Sequence, residues 1–222
     1  MTSQNQTQKT SPEPVRDPLQ DHLLTPANSA VVLIDFQEGQ YATVGSATRD
    51  EIDLGAITLA KLAHAYQIPT VLTTVAVGMR VNKPTVEEIT RELPGVPEID
   101  RTGVNSWEDA DFRKAIEATG RKKIIMAGLW TEVCLAFPTL DMIKEGYEVY
   151  PVIDAVGGVS TVTHQTAIQR MVQAGAQPIT SLALGCELMR NWARDDSDLY
   201  RVIINDYFRR KRAMGHTSGN LF

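Results

Sequence analysis

The chain has 222 residues, 43% of them hydrophobic and 22% charged, with a formal net charge of −5. Those values suit one globular domain with a sizeable core and argue against a nucleic-acid-binding surface. No apolar run approaches the roughly 18 residues of a membrane span, and 2 cysteines make no disulfide framework, so a reducing cytoplasm is the expected compartment.

Residues 1–27 read as a flexible arm, polar and proline-containing, without the apolar core of a secretory signal. From there strand and helix patterns alternate. Strands are expected over 30–36, 69–75, 98–100, 123–128, 147–153 and 177–181, and helices over 51–66, 108–119, 131–145, 161–174 and 183–192. Regular alternation predicts a three-layer α/β/α sandwich around a six-stranded parallel sheet, Rossmann-like in topology, with strand order 3-2-1-4-5-6. One domain spans 28–197. Residues 198–222 form a C-terminal helix and tail, whose Leu199, Val202, Ile203, Tyr207 and Phe208 recur at helical spacing and predict docking on the body or another subunit.

Three strand ends carry the chemistry. The run Ala30-Val-Val-Leu-Ile34 closes on Asp35 and is followed by Phe36 and Gln37. The short third strand gives way to a loop with Arg101, Asn105 and Trp107. The fourth, Ile124-Ile-Met-Ala127, runs into Gly128-Leu-Trp-Thr-Glu-Val-Cys134, where Thr131 fits a helix N-cap. Cys134 therefore stands in the first turn of a helix at the carboxyl edge of the sheet, where the helix dipole favours thiolate. Its ordinary reading is a small buried hydrophobe; its functional one is a nucleophile. Asp35 is a βα-junction turn former or a general base. Arg101 stays protonated and cannot relay protons, so its role is to hold Asp35 and bias the site toward thiolate. Phe36, Gln37, Asn105 and Trp107 neighbour these residues and are candidate pocket walls, Trp107 equally a core residue. Cys186 reads as packing. His22, His64, His164 and His216 show no metal-ligand spacing, and neither G-x-G-x-x-G nor a Walker loop occurs, so no metal and no cofactor are expected. His164 is a rival to Asp35 as the partner of Cys134.

Asp35 after V-V-L-I-D, Arg101 in R-T-G-V-N-S-W, T-E-V-C ending at Cys134 and A-G-A-Q at 174–177 together resemble the isochorismatase-like cysteine hydrolases, and within them the YcaC-like branch. The resemblance covers roughly 28–192. Most of that superfamily uses lysine where Arg101 stands, and the branch is similar to this chain in using arginine. The family often carries histidine where Gln165 stands here. The resemblance implies a catalytic triad of Asp35, Arg101 and Cys134, and a cis peptide at Trp130–Thr131 that turns N–H groups near Thr131 and Cys134 into an oxyanion hole. It also implies a homo-oligomer, dimer to octamer. The expected function is a metal-independent cysteine hydrolase cleaving a C–N bond, an amide of a small molecule, through a Cys134 acyl-enzyme. The alternative is a non-catalytic oligomeric protein whose activated thiol senses oxidants or serves interaction.

Overall fold

The run Ser29–Ile34 is buried at every residue and forms β1, the centre of a five-stranded parallel sheet. A computed structural model describes residues 16–215. After β1 come α1 (Glu38–Tyr41), α2 (Arg49–Ala65), β2 (Thr70–Val75), α3 (Glu87–Thr90) and β3 (Glu98–Arg101). A 3₁₀ turn (Ser106–Glu108) precedes α4 (Ala110–Ala118) and β4 (Lys123–Gly128). A π-helical turn (Thr131–Leu135) then leads into α5 (Ala136–Lys144), β5 (Glu148–Pro151) and a second 3₁₀ turn (Ile153–Ala155). Three helices close the described chain: α6 (Thr161–Ala174), α7 (Ser181–Met189) and α8 (Ser197–Ala213).

The strand order is β3-β2-β1-β4-β5 with every pairing parallel. Helices cover both faces, which is why β1 and β4 read as near-continuous apolar runs. The expected sixth strand shrinks to one bridge, Val152 to Ile179. The segment still runs beside β5, with Gln177 N and Ile179 N donating to the Val149 and Pro151 carbonyls at 2.9 Å. Pro178 between them has no N–H to give, and Thr180 at once becomes the N-cap of α7. The expected helix over 131–145 divides into the π turn and α5, and that over 108–119 starts late because Asp109 caps α4, accepting from Asp111 N and Phe112 N.

Of the arm expected over 1–27, residues 16–27 are described and lie on the body. Leu24 is fully buried. Lys123 donates to the Asp21 carbonyl at 2.9 Å and also to that of His22, and Arg190 reaches the Asp21 carboxylate at 3.1 Å and the Leu24 carbonyl at 3.0 Å. Residues 1–15 lie outside the described part. At the other end α8 packs on α2 and α7, with Lys61 paired to Asp206. Among the described residues no helix is long and apolar enough to cross a membrane.

Candidate active site

Sheet register brings the predicted residues together. Ile34 pairs with Thr73 of β2 and Gly128 of β4, and Val75 pairs with Arg101 of β3. Asp35, Arg101 and the turn after Gly128 therefore share one carboxyl edge, where open α/β sheets build their sites. Asp35, the first residue past β1, is left-handed at φ 58. That conformation costs a non-glycine residue about 1–2 kcal/mol. Two backbone hydrogen bonds hold it: Asp35 N to Thr73 O at 2.9 Å, and Gln37 N to Asp35 O at 2.8 Å.

Arg101 grips both carboxylate oxygens, Nη1 to Oδ1 and Nη2 to Oδ2, each at 2.7 Å. Both side chains are wholly buried. Nη1 also donates to the Thr74 carbonyl at 2.9 Å, while Nε is buried without a partner among the described residues. The parallel pair of bonds is the geometry of a guanidinium fork, which a lysine cannot reproduce. Neighbouring Asp100 braces the loop after β2, its carboxylate accepting from Val77 N at 3.0 Å and Gly78 N at 2.8 Å.

The nucleophile arrives from β4. Leu129 N still donates to Ile34 O at 3.1 Å, and Leu129 still bridges to Gly157. The cis peptide is Leu129–Trp130. The expected position, Trp130–Thr131, is thus corrected by one bond, because Leu129 is the last residue paired to the sheet and the chain turns there. Trp130, not Thr131, holds the N-cap position. Thr131 is fully buried inside the π turn. Its N–H donates to Gly157 O at 2.9 Å, and its hydroxyl lies 2.9 Å from His164 Nδ1. With that N–H engaged, Thr131 is not an open oxyanion donor.

Cys134 is 6% exposed. The Asp35 carboxylate and the Trp130 backbone are the polar groups that act on its thiol. Burial pushes the thiol up, and Asp35 pushes it further. Arg101 and the Trp130 backbone oppose this without reversing it. The expected hold of Arg101 on Asp35 is present, but its bias toward thiolate is outweighed: burial and the Asp35 carboxylate keep the proton on the sulfur.

The other predicted residues frame the triad. Phe36 and Gln37 are fully buried. Gln37 stitches β2 to the following loop, donating to Val75 O at 3.2 Å and Lys83 O at 2.6 Å and accepting from Val75 N at 3.0 Å. Asn105 caps the 3₁₀ turn through Trp107 N and donates to Asp141 at 2.7 Å. It borders a cavity of about 450 Å³ shared with Asp141 and Arg170, into which Asp35, Arg101 and Cys134 do not open. Trp107 belongs to the core, edge-on to Phe112 and Tyr147, with its indole donating to Glu145 at 2.8 Å. The polar side-chain atoms of Gln37, Asn105 and Trp107 are engaged inside the protein. The Trp130 indole donates to Thr43 Oγ1 at 2.9 Å.

Cys186 lies on the exposed side of α7, its sulfur 3.4 Å from Tyr200 Oη, and both cysteines are free. Gln165 is exposed, and His164 turns inward instead. His164 meets Thr131 rather than Cys134, so it is no dyad partner. The motif reading missed that contact, although the Ser160-x-x-Thr163 capping box marks the helix start that orients the ring. Among the described residues no three His, Cys, Asp or Glu side chains gather as a metal set; His216 lies outside them.

Residues 29–182 match the model of the isochorismatase domain. The probable hydrolase YcaC of Escherichia coli K12 is 40% identical over 179 residues, 80% of this chain and 86% of that protein. A YcaC structure from Pseudomonas aeruginosa, solved with hexane-2,5-diol and covalent acrylamide, superposes with TM-score 0.79 at 36% identity, covering 88% of this chain and 98% of that one. The E. coli YcaC structure, described as an octameric hydrolase of unknown specificity, gives 0.77 at 38% identity, covering 88% and 97%.

Proposed function

The chain belongs to the isochorismatase family, and from that premise we propose a cysteine hydrolase that cleaves the C–N bond of a small amide through an acyl-enzyme on Cys134. The observation that carries this reading is a buried Cys134 thiol under the influence of a carboxylate that Arg101 locks with two bonds of 2.7 Å. Asp35 takes the thiol proton as the sulfur attacks the carbonyl carbon, so a thiolate forms only when there is a carbon to receive it. The oxyanion rests on backbone N–H groups of the π turn, with Trp130 and Cys134 as candidates. Asp35 then gives its proton to the leaving nitrogen, the C–N bond breaks, and amine departs. Asp35 next draws a proton from water, hydroxide adds to the thioester, and the acid is released with the thiol restored. No metal is required, because a carboxylate already serves as base.

The alternative role as an oxidant sensor fits less well. Cys134 is buried, and Cys186, facing away on α7, is no resolving thiol. Two free cysteines accord with a reducing cytoplasm as the compartment. The octameric E. coli relative supports a homo-oligomer here too.

The covalent acrylamide of the Pseudomonas relative suggests the probe. A panel of small amides, acrylamide included, is incubated with the protein and read by intact mass. An acyl-enzyme adds the amide less one ammonia, whereas conjugate addition of acrylamide adds its full mass. Acylation that maps to Cys134 and vanishes in Asp35→Asn is expected. Amine release that persists in Cys134→Ala would overturn the mechanism.

A further inference from the structure

His164 stands outside the triad yet touches the turn that carries its nucleophile. Ser160 and Thr163 form a capping box at the start of α6, and His164 N donates to Ser160 O at 3.0 Å. That start places Nδ1 of the ring 2.9 Å from Thr131 Oγ1. Thr131 is the first residue of the π turn Thr131–Leu135, which contains Cys134. A ring that holds Thr131 thereby holds the entry to the turn on which Cys134 stands.

We propose that His164 is a positioning residue for Cys134: the neutral ring holds the Thr131 hydroxyl, and protonation of the ring loosens that hold and slows the chemistry at Cys134. The charged ring has another partner at hand. Glu132 accepts from Val159 N at 2.9 Å through Oε1, but its Oε2 is buried without a hydrogen-bond partner among the described residues. Gly158 lets the two side chains approach, since a Cβ there would lie 2.5 Å from Glu132 Oε2 and 2.9 Å from His164 Cβ. Elsewhere the ring borders a cavity of about 330 Å³ lined by Glu51 of α2, Asp154 of the second 3₁₀ turn, and Tyr207 and Lys211 of α8. Glu51 is engaged by the Thr48 backbone and hydroxyl, and Asp154 by Ser181. Glu132 is therefore the acid with an open oxygen. A neutral ring can trade one hydrogen bond with a hydroxyl in either sense, whereas an imidazolium only donates and is drawn to a carboxylate. Burial holds the ring below its ordinary range, and the nearby Glu132 charge offsets only part of that, so the change falls on the acid side of neutrality.

This rests on Cys134 being the nucleophile, but its test needs no substrate. Iodoacetamide alkylation of Cys134 is followed by peptide mass from about pH 5 to about pH 8 in the wild type, His164→Asn, His164→Leu, Thr131→Val and the Thr131→Val/His164→Leu double variant. Asparagine keeps a hydrogen-bonding group near the Nδ1 position and does not titrate. At the alkaline end His164→Asn should stay within about threefold of wild type while His164→Leu falls about tenfold. The ratio of wild type to His164→Asn cancels the titration of Cys134 itself. It should fall about tenfold at the acid end, and His164→Leu should add nothing once Thr131 is valine. A ratio flat in pH overturns the proposal, as does a full His164→Leu effect in the Thr131→Val background. If no amide is turned over and the ratio still falls, the hydrolase reading fails and the positioning role stands.

Discussion

The fork between Arg101 and Asp35 decides how any change at the triad is felt. Asp35→Asn removes the base and should lower turnover by about 10³-fold. It also leaves a wholly buried guanidinium without its counter-charge, and breaking such a pair costs about 3–5 kcal/mol. The variant should thus melt well below wild type, and circular dichroism melts beside turnover assays would measure both effects. Arg101→Lys keeps the charge but offers one point instead of two, so partial activity with a smaller loss of stability is expected; Arg101→Ala should lose both. Equal stability of Asp35→Asn and wild type would show that the pair is not buried as described. All three residues were legible as motif positions at strand ends. Their protonation was not. Helix position and an arginine expected to hold Asp35 suggested a bias toward thiolate, but only the packed structure shows that burial and Asp35 outweigh Arg101 and raise the thiol.

Between the elements, the contact of α6 with the π turn is as tight as backbone allows. A Cβ at Gly158 would lie 3.1 Å from His164 Cα and 2.5 Å from Glu132 Oε2. Gly158→Ala should push α6 from the turn, costing about 1–3 kcal/mol by overpacking and slowing Cys134 alkylation at the same time. Gly55→Ala is the control on another seam. Its Cβ would meet the Asp154 carbonyl at 2.0 Å, backbone against backbone, so it should destabilise more. A Cys134 rate, measured below the melting transition, that falls in Gly55→Ala and not in Gly158→Ala would refute this assignment. Periodicity located the helices on either side of this seam and all five strands, whose four pairings match the expected order, because parallel strands buried on both faces leave unbroken apolar runs. It could not foresee where pairing stops. Pro178 cuts the sixth strand to a bridge, and the residue after Leu129 sets the bend that the motif placed one bond later. The bend is a consequence of neighbours distant in sequence, Ile34 and Gly157, whereas the proline is a local signal that the apolar pattern outweighed.

At the scale of the molecule, Met79, Val81 and Val104 stay exposed on the loops after β2 and β3, apolar side chains that suit burial between subunits. Light scattering at micromolar concentration should give a multiple of the chain mass, and a monomer would refute the oligomer. Stability against pH should form a plateau whose edges belong to named groups. On the acid side, burial lowers the pKa of His164, so the unfolded chain binds its proton first and stability declines as pH falls below about 6.5. A second decline follows below about pH 4. There Glu145, held down by the Trp107 indole and Arg113, and Asp196, held down by Arg194, must take up protons and lose those bonds. On the alkaline side the sign reverses. Burial and Asp35 raise the Cys134 thiol, so the unfolded chain releases that proton first and stability falls as pH rises above about 8.5. Tyr41 and Tyr200 are also raised by burial, but an unfolded tyrosine titrates only near pH 10 and cannot begin that edge. Melting temperatures across the range should therefore be highest from about pH 6.5 to about pH 8.5. Cys134→Ser cannot titrate there and should extend the plateau toward pH 10, while His164→Asn should remove the first acid step and leave the carboxylate one. A Cys134→Ser protein that keeps the wild-type alkaline slope would mean the thiol does not rest protonated against Asp35, and the proton path drawn from it would fail with that result.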